Sequence, residues 1–173
     1  MVPKMIYPIV KYGAAVLEQE AALVTVFDRE LAQLVEDMFE SMYAAHGVGL
    51  AAPQIGLPKQ LAVIDVTNGE DSKARVVIAN PQIISSQGKQ REEEGCLSLP
   101  GYNADVTRPA RVTLRAQDAT GKEVTLTGDG LLARAFCHEI DHLRGRLFIA
   151  CLSVLKRDMI RRKIRRQIKA GDW

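Results

Sequence analysis

The chain has 173 residues, of which 47% are hydrophobic and 25% charged, and its net charge is +2, as is typical of one globular domain. No apolar stretch approaches the roughly 20 residues of a membrane span, which argues against an integral membrane protein. The three cysteines are irregularly spaced and the first residues lack the apolar core of a secretory signal, so we expect a cytoplasmic protein.

The first predicted element is a helix. Residues Thr25 to Asp28 resemble a capping box that opens it. Apolar side chains then recur at helical spacing and predict a stripe that faces the core: Leu31, Leu34, Val35, Met38 and Met42. Gly47 follows this pattern and is expected to cap the end of the helix.

Strands and a second helix follow. We predict strands at residues 61–66, 75–79 and, after a break at proline, 81–86. Residues 111–117 and 123–127 alternate apolar and polar side chains, with a hairpin turn at 119–122. A helix starts at Asp129 or Gly130 and ends at Gly145. This order predicts an α+β fold, in which mixed or antiparallel sheets surround a central helix, with further N-terminal and C-terminal helices.

The last segment is strongly basic. Residues 1–155 carry 15 basic and 19 acidic side chains, whereas residues 156–173 carry 8 and 2. An amphipathic helix is predicted from near Ser153, with an apolar stripe of Leu155, Met159, Ile160, Ile164 and Ile168. We therefore predict one domain of residues 1–155, to which residues 156–173 attach as a basic helix. Its charged face is either simply solvated or binds RNA phosphates.

The most informative motif is His138-Glu139-Ile140-Asp141-His142. Two histidines four apart on a helix lie on one face, so both imidazoles can reach one metal ion. The intervening Glu139 can then take a proton from a water bound to that metal. The sequence has only three histidines, and two of them fall in this motif. An ordinary solvated helix face is the alternative.

A catalytic site of this kind needs a third protein ligand. Cys137 would point about 100° away from His138 on a helix, so we expect a packed thiol. Cys151 lies in an apolar run that is typical of core. Cys96 lies between a charged run and a turn rich in glycine and proline, where a thiolate can be exposed, and it is the favoured ligand.

Three segments resemble the signature motifs of peptide deformylases, in the same order and at similar spacing. They are Gly47-Val48-Gly49-Leu50-Ala51-Ala52-Pro53-Gln54, Glu94-Gly95-Cys96-Leu97-Ser98 and the histidine motif. The resemblance covers the chain from about Ile6 to the basic tail. It implies a metal-dependent hydrolase that removes the N-formyl group from the N-terminal methionine of nascent polypeptides and releases formate.

The resemblance also implies the roles of individual residues. Cys96, His138 and His142 would hold one divalent ion, usually Fe²⁺, with Zn²⁺, Ni²⁺ or Co²⁺ possible in its place. Glu139 would be the general base and then the acid. The oxyanion would be bound by Gln54 and the Leu97 N–H, and the formyl group by the Gly49 backbone. The peptide and methionine subsites would be lined by six residues, two of which also have the roles just named: Gly47, Val48, Gly49, Leu97, Leu131 and Ala135.

The resemblance extends to neighbouring residues and to partners. It suggests that Glu94 and Arg108 pair and fix the Cys96 loop, with solvated charges as the alternative. Helical spacing, by contrast, directs Asp141 away from the two histidines, so we expect it to make a surface or capping contact. N-formylmethionyl peptides are the expected partners. The ribosome is a further candidate through the basic helix, while neither DNA nor membrane is expected.

Two other functional classes remain open. One is a metalloprotease that cuts internal peptide bonds with the same histidine motif. The other is a non-catalytic, metal-stabilised protein associated with the ribosome. Three well-placed ligands and a glutamate favour an open, catalytic metal site over a closed structural one.

Overall fold

The computed structural model describes residues 2–173. Within this range, three α-helices and seven strands make up the fold. The helices are α1 (Arg29–Ala44), α2 (Gly130–Leu143) and α3 (Val154–Ala170). The strands are β1 (Gly49–Ala51), β2 (Leu61–Ile64), β3 (Val76–Gln87), β4 (Gln90–Gly95), β5 (Asn103–Arg108), β6 (Arg111–Gln117) and β7 (Glu123–Asp129). Short 3₁₀ helices lie at Ala15–Glu18, Ala52–Ile55, Ser72–Ala74 and Phe148–Cys151.

The strands form two antiparallel sheets, so the predicted α+β class is confirmed. One sheet has five strands in the order β1-β2-β3-β6-β7, and the other is the β4–β5 hairpin. The two strands predicted around Pro81 are one strand, β3, whose register shifts between Ala79 and Gln82. Strand β2 ends at Ile64, earlier than predicted, because the Asp65 carboxylate accepts bonds from Thr67 and Gly69 and turns the chain.

Helix α1 starts three residues later than the predicted capping box. Its N-cap is Asp28, whose side chain accepts from the Leu31 N–H at 3.0 Å, so the prediction of a start at Thr25 was wrong. At the other end, the Gly47 N–H donates to the Met42 carbonyl at 3.0 Å, while His46 takes the left-handed conformation with φ +58°. Gly47 thus takes part in the cap, but His46 is the left-handed residue.

Helix α2 lies at the centre of the molecule. Its apolar face packs on the five-stranded sheet through a cluster that includes Phe136, Ile140, Ile78 and Leu114. Its other side directs His138 towards Glu94 on β4 and Glu139 towards Gly49 on β1. Cys137 is buried in the same core, as expected, and burial raises the pKa of its thiol to about 11.

Helix α3 closes the chain and packs on the domain through few residues. Its N-cap is Ser153, close to the predicted start. Ile164 is fully buried, but Leu155, Met159 and Ile168 are 73%, 51% and 50% exposed, so most of the predicted apolar stripe faces solvent. Cys151 is also exposed, contrary to prediction, because the 3₁₀ turn there buries Phe148 and Ile149 instead. Among residues 2–173, no helix has the length and apolar character needed to span a membrane.

Candidate active site

Three predicted ligand atoms converge on one point. The Cys96 Sγ, which follows β4, lies 3.2 Å from the His142 Nε2 on α2, and that nitrogen lies 3.2 Å from the His138 Nε2. All three atoms lie within 4.8 Å of one another. Two nitrogens bound tetrahedrally at 2.0–2.1 Å from one metal ion would be about 3.3 Å apart. The spacing and the Cys/His/His donor set therefore fit a single transition-metal ion.

Glu94 holds His138 in place. Its Oε1 lies 2.6 Å from the His138 Nδ1, which leaves the Nε2 of that ring directed towards the other two ligands. The Glu94 carboxylate is also bound by Arg108 and Arg134, each at 2.7 Å. Arg108 in turn binds Asp141 at 2.7 Å. The pairing of Glu94 with Arg108 is thus confirmed, and Asp141, predicted to make a surface or capping contact, instead extends this buried network.

The network fixes the charges around His138. Burial alone would raise the pKa of Glu94, but hydrogen bonds from His138 and Arg108 outweigh it and lower this pKa to about 2. Burial likewise opposes the charged form of Arg108, and the bonds to Glu94 and Asp141 raise its pKa in spite of this. Glu94 is therefore a fixed anion behind His138.

The two histidines respond differently to their surroundings. Burial lowers the pKa of His138, but Cys96, Glu94 and Glu139 outweigh it and raise this pKa well above its ordinary value. Burial and the neighbouring His138 together lower the pKa of His142. The groups around His138 thus favour one positive charge at this point. A bound metal cation would supply that charge in place of a proton on His138.

Glu139, also on α2, is buried beside these groups. Its side chain is 3% exposed, and its Oε2 has no hydrogen-bond partner among residues 2–173. Burial raises the pKa of this carboxyl to about 7, against an opposing effect of His138. A Cβ at Gly49 would lie 2.3 Å from the Glu139 Oε1, so the absence of a side chain at Gly49 leaves room for the carboxylate.

Gln54 is buried beside the sulfur, on the 3₁₀ helix Ala52–Ile55. Its Oε1 accepts from the Ala51 N–H at 2.9 Å, which directs the amide NH₂ towards the site. The Nε2 lies 3.6 Å from the Cys96 Sγ and 3.2 Å from the Ser98 Oγ. An amide donor is therefore held next to the predicted ligand Cys96.

A cavity of about 340 Å³ is lined by Gln54, Glu94, Cys96, His138 and Glu139, but not by His142. The predicted subsite residues all lie along its wall: Gly47, Val48, Gly49, Leu97, Leu131 and Ala135. His46, Glu93 and Arg134 also line it but were missed by the sequence analysis. Arg134 precedes His138 by four residues, so helical spacing alone could have indicated that they share a face.

Known proteins resemble the chain over almost its whole length. The polypeptide deformylase family profile matches residues 6–158. A peptide deformylase of Acidobacterium capsulatum is 54% identical over 169 residues, which cover 98% of this chain and 99% of the relative.

Solved structures agree with the sequence matches. A peptide deformylase from Legionella pneumophila is 46% identical with a TM-score of 0.88, covering 96% of this chain and 97% of the other. One from Thermus thermophilus is 41% identical with a TM-score of 0.88, and the coverage is 97% and 98%. The chain therefore belongs to the peptide deformylase family, enzymes that remove the N-formyl group from nascent polypeptides.

Proposed function

We propose that this enzyme deformylates N-formylmethionyl peptides in the cavity formed by α2, β1 and the Cys96 loop. The observation that carries the proposal is the convergence of three metal-ligand atoms beside the buried carboxylate of Glu139. Cys96, His138 and His142 would hold the metal ion. When bound, that ion supplies a Lewis acid, which acidifies water and polarises the formyl carbonyl.

Glu139 is the proposed general base and general acid. It takes a proton from the attacking water as the new bond forms at the formyl carbon. It then gives a proton to the peptide nitrogen as the C–N bond breaks, so that formate and a free amino terminus leave. Burial of this carboxyl, which raises its pKa, favours both accepting and returning a proton near neutral pH.

Gln54 and the Leu97 N–H are the proposed donors to the formyl oxygen. The Gln54 Nε2 is held next to the Cys96 Sγ, where charge would develop on that oxygen. Preorganised donors of this kind typically contribute about 3 kcal/mol each to transition-state stabilisation. The backbone of Gly49 is the proposed partner of the formyl group, and the edge strand β1 to which it belongs is the proposed pairing strand for the substrate main chain.

The proposed methionine pocket is the apolar part of the cavity wall. Val48, Leu97, Leu131 and Ala135 supply its surface. Gly47 leaves space for Leu97, because a Cβ there would lie 2.8 Å from the Leu97 Cδ1. An unbranched side chain such as methionine fits an apolar slot of this kind.

We infer Fe²⁺ as the ion in the cell, on the family resemblance. A thiolate with two imidazoles also accepts Zn²⁺, Ni²⁺ or Co²⁺. Metal analysis of protein purified without oxygen would identify the ion. A cytoplasmic location follows from the same chemistry, since a thiolate ligand must stay reduced.

We propose that residues 1–155 form the catalytic domain and that the basic helix of residues 156–173 contacts the ribosome. The support is the excess of basic side chains on α3. Replacing exposed Arg162, Lys163 and Arg166 with Glu would retain the buried Ile164 anchor. Cosedimentation with ribosomes should fall in that variant and fall with added salt. Unchanged cosedimentation would contradict the assignment.

Substrate comparison separates the enzyme from the alternative functions. The Fe²⁺-loaded protein should release formate from an N-formyl-Met peptide and leave the unformylated peptide intact. Cleavage of internal bonds in the unformylated peptide would indicate a metalloprotease instead. Retention of one metal ion per chain without reaction on either peptide would indicate a non-catalytic protein.

A further inference from the structure

The loop that carries Cys96 is held from outside the site by the two ends of the chain. Near the N-terminus, the Tyr12 N–H donates to the Ser98 carbonyl at 2.8 Å, and the Val10 N–H donates to the Gln54 carbonyl at 2.7 Å. We define residues 10–12 as the strap. It bonds on one side to the loop of the metal ligand and on the other to the proposed oxyanion donor.

Trp173 fastens the strap. Its indole N–H donates to the Tyr12 carbonyl at 2.8 Å, and the Lys11 ammonium lies 5.8 Å from the centre of the indole ring. The half-buried indole thereby holds the strap through a directional bond and through contact with its flanking side chain.

Trp173 also holds the loop from its other end. The Tyr102 ring lies 6.0 Å from the indole, tilted by 60°, and the Tyr102 hydroxyl donates to the Gln167 side chain on α3. Tyr102 follows Cys96 through two tight turns, in which the Leu99 N–H binds the Cys96 carbonyl and the Tyr102 N–H binds the Leu99 carbonyl. Both flanks of the Cys96–Ser98 segment therefore lead to one indole.

We propose that Trp173 is a positioning residue for deformylation, which sets the Leu97 N–H and the Gln54 amide through the strap and through Tyr102. It touches neither substrate nor metal. Its effect follows from geometry, because a misplacement of about 1 Å in a catalytic group can lower a rate by about 10²-fold. A partial release of the loop should therefore lower kcat by about tenfold. This inference rests on the proposed function of Gln54 and Leu97.

The test compares Trp173→Ala, Trp173→Phe and, as a control, Arg165→Ala, which changes an exposed side chain of α3. Each protein is loaded with one Fe²⁺ per chain, and kcat and KM are measured on an N-formyl-Met peptide at a temperature where far-UV circular dichroism shows full folding. We expect Trp173→Ala to lower kcat about tenfold, with KM changed less than twofold. Trp173→Phe keeps a ring but loses the N–H, so its kcat should lie between those of Trp173→Ala and the wild type. The kcat of Arg165→Ala should match that of the wild type.

A second readout needs no turnover. Amide hydrogen exchange on metal-free protein should show that the Tyr12 N–H loses protection in Trp173→Ala and keeps it in Arg165→Ala. Wild-type kcat in fully loaded Trp173→Ala, or unchanged exchange at Tyr12, would overturn the proposal. So would a rise in KM without a fall in kcat. If the wild type itself released no formate, the proposed function would fail instead, and the exchange result would still report whether Trp173 holds the strap.

Discussion

The close approach of Gly49 to Glu139 gives the sharpest quantitative prediction. In Gly49→Ala, the new methyl carbon would lie 2.3 Å from the Glu139 Oε1 and 2.9 Å from its Cδ. Such contacts are essentially never closer than 3.0 Å, so the carboxylate must move by at least about 0.7 Å. Since α2 is packed on the sheet behind it, the side chain and not the helix must yield.

A displacement of this size has a predictable effect on rate. Because a shift of about 1 Å can lower a rate by about 10²-fold, we expect kcat of Gly49→Ala to fall by about 10- to 100-fold. This corresponds to a rise of about 1.4–2.7 kcal/mol in the activation barrier. Formate release from an N-formyl-Met peptide, at one metal ion per chain, measures it. Overpacking will also lower stability by about 1–3 kcal/mol, so circular dichroism must verify folding at the assay temperature.

Gly47→Ala is the matched control. Its new methyl would meet the Cδ1 of Leu97 at 2.8 Å, the far end of a half-buried and flexible side chain. Leu97 can rotate into the cavity, so we expect a raised KM for formyl-Met peptides while kcat stays within about threefold. A normal kcat in Gly49→Ala with full metal content would refute the reasoning, since it would mean that the Glu139 carboxylate need not be where the structure has it.

Three further predictions concern stability and metal retention. Glu94→Gln removes the anion shared by His138 and two arginines, so stability should fall by about 3–5 kcal/mol in urea titrations and metal affinity by about 10–100-fold in a chelator competition. Asp65→Asn should destabilise by about 3 kcal/mol at pH 7, because the carboxylate accepts from Tyr43, Thr67 and Gly69. Ile164→Ala should weaken the fold by about 2–5 kcal/mol, since it empties the buried anchor of α3.

The effect of Asp65 must also depend on pH. Burial opposes its charge, but hydrogen bonds from Thr67 and Tyr43 outweigh this and lower the pKa of Asp65 below its ordinary value. A lowered pKa in the folded state gives stability that is present above the unfolded pKa of about 3.9 and is lost as the pH falls through the folded pKa. The difference in the free energy of unfolding between the wild type and Asp65→Asn should therefore become smaller in acid. A gap that widened there would contradict the assignment.

Glu94→Gln and Ile164→Ala each have a matched control substitution. Exposed Glu92→Gln, on the same strand as Glu94, should change neither stability nor metal affinity. Ile168→Ala, on the exposed side of α3, should lower stability by less than Ile164→Ala. If the control lowered stability as much as the substitution that it matches, burial of Glu94 or Ile164 would not explain the effect.

The sequence predicted those parts of the fold whose signals are local. Alternation located β6 and β7, and the histidine motif indicated both α2 and the face of that helix that carries the ligands. The β4–β5 hairpin was missed because β4, Gln90–Gly95, consists mainly of charged residues and has no apolar alternation. The start of α1 was misplaced because two capping residues, Thr25 and Asp28, stand close together, and only Asp28 adjoins the first helical residue.

Contacts between distant residues could not be read from the sequence. Helical spacing could have indicated that Arg134 shares a face with His138. Its pairing with Glu94, however, depends on how β4 lies against α2. The bond from Trp173 to Tyr12 joins residues 161 positions apart, and no local pattern indicates it. Burial of the apolar stripe on α3 was wrongly predicted for Leu155, Met159 and Ile168. Helical spacing shows which side chains share a face, but not whether another part of the protein covers that face.

The measurement that tests the central claim most directly is a titration of metal-free protein with Fe²⁺ in the absence of oxygen, with formate release from an N-formyl-Met peptide as the readout. We predict that the rate rises as Fe²⁺ is added, until one ion is present per chain, and then stays constant. Glu139→Gln should bind the same amount of metal and release no formate, while the exposed control Glu123→Gln behaves as the wild type. Formate release by Glu139→Gln at the wild-type rate, or none by the fully loaded wild type, would contradict the account.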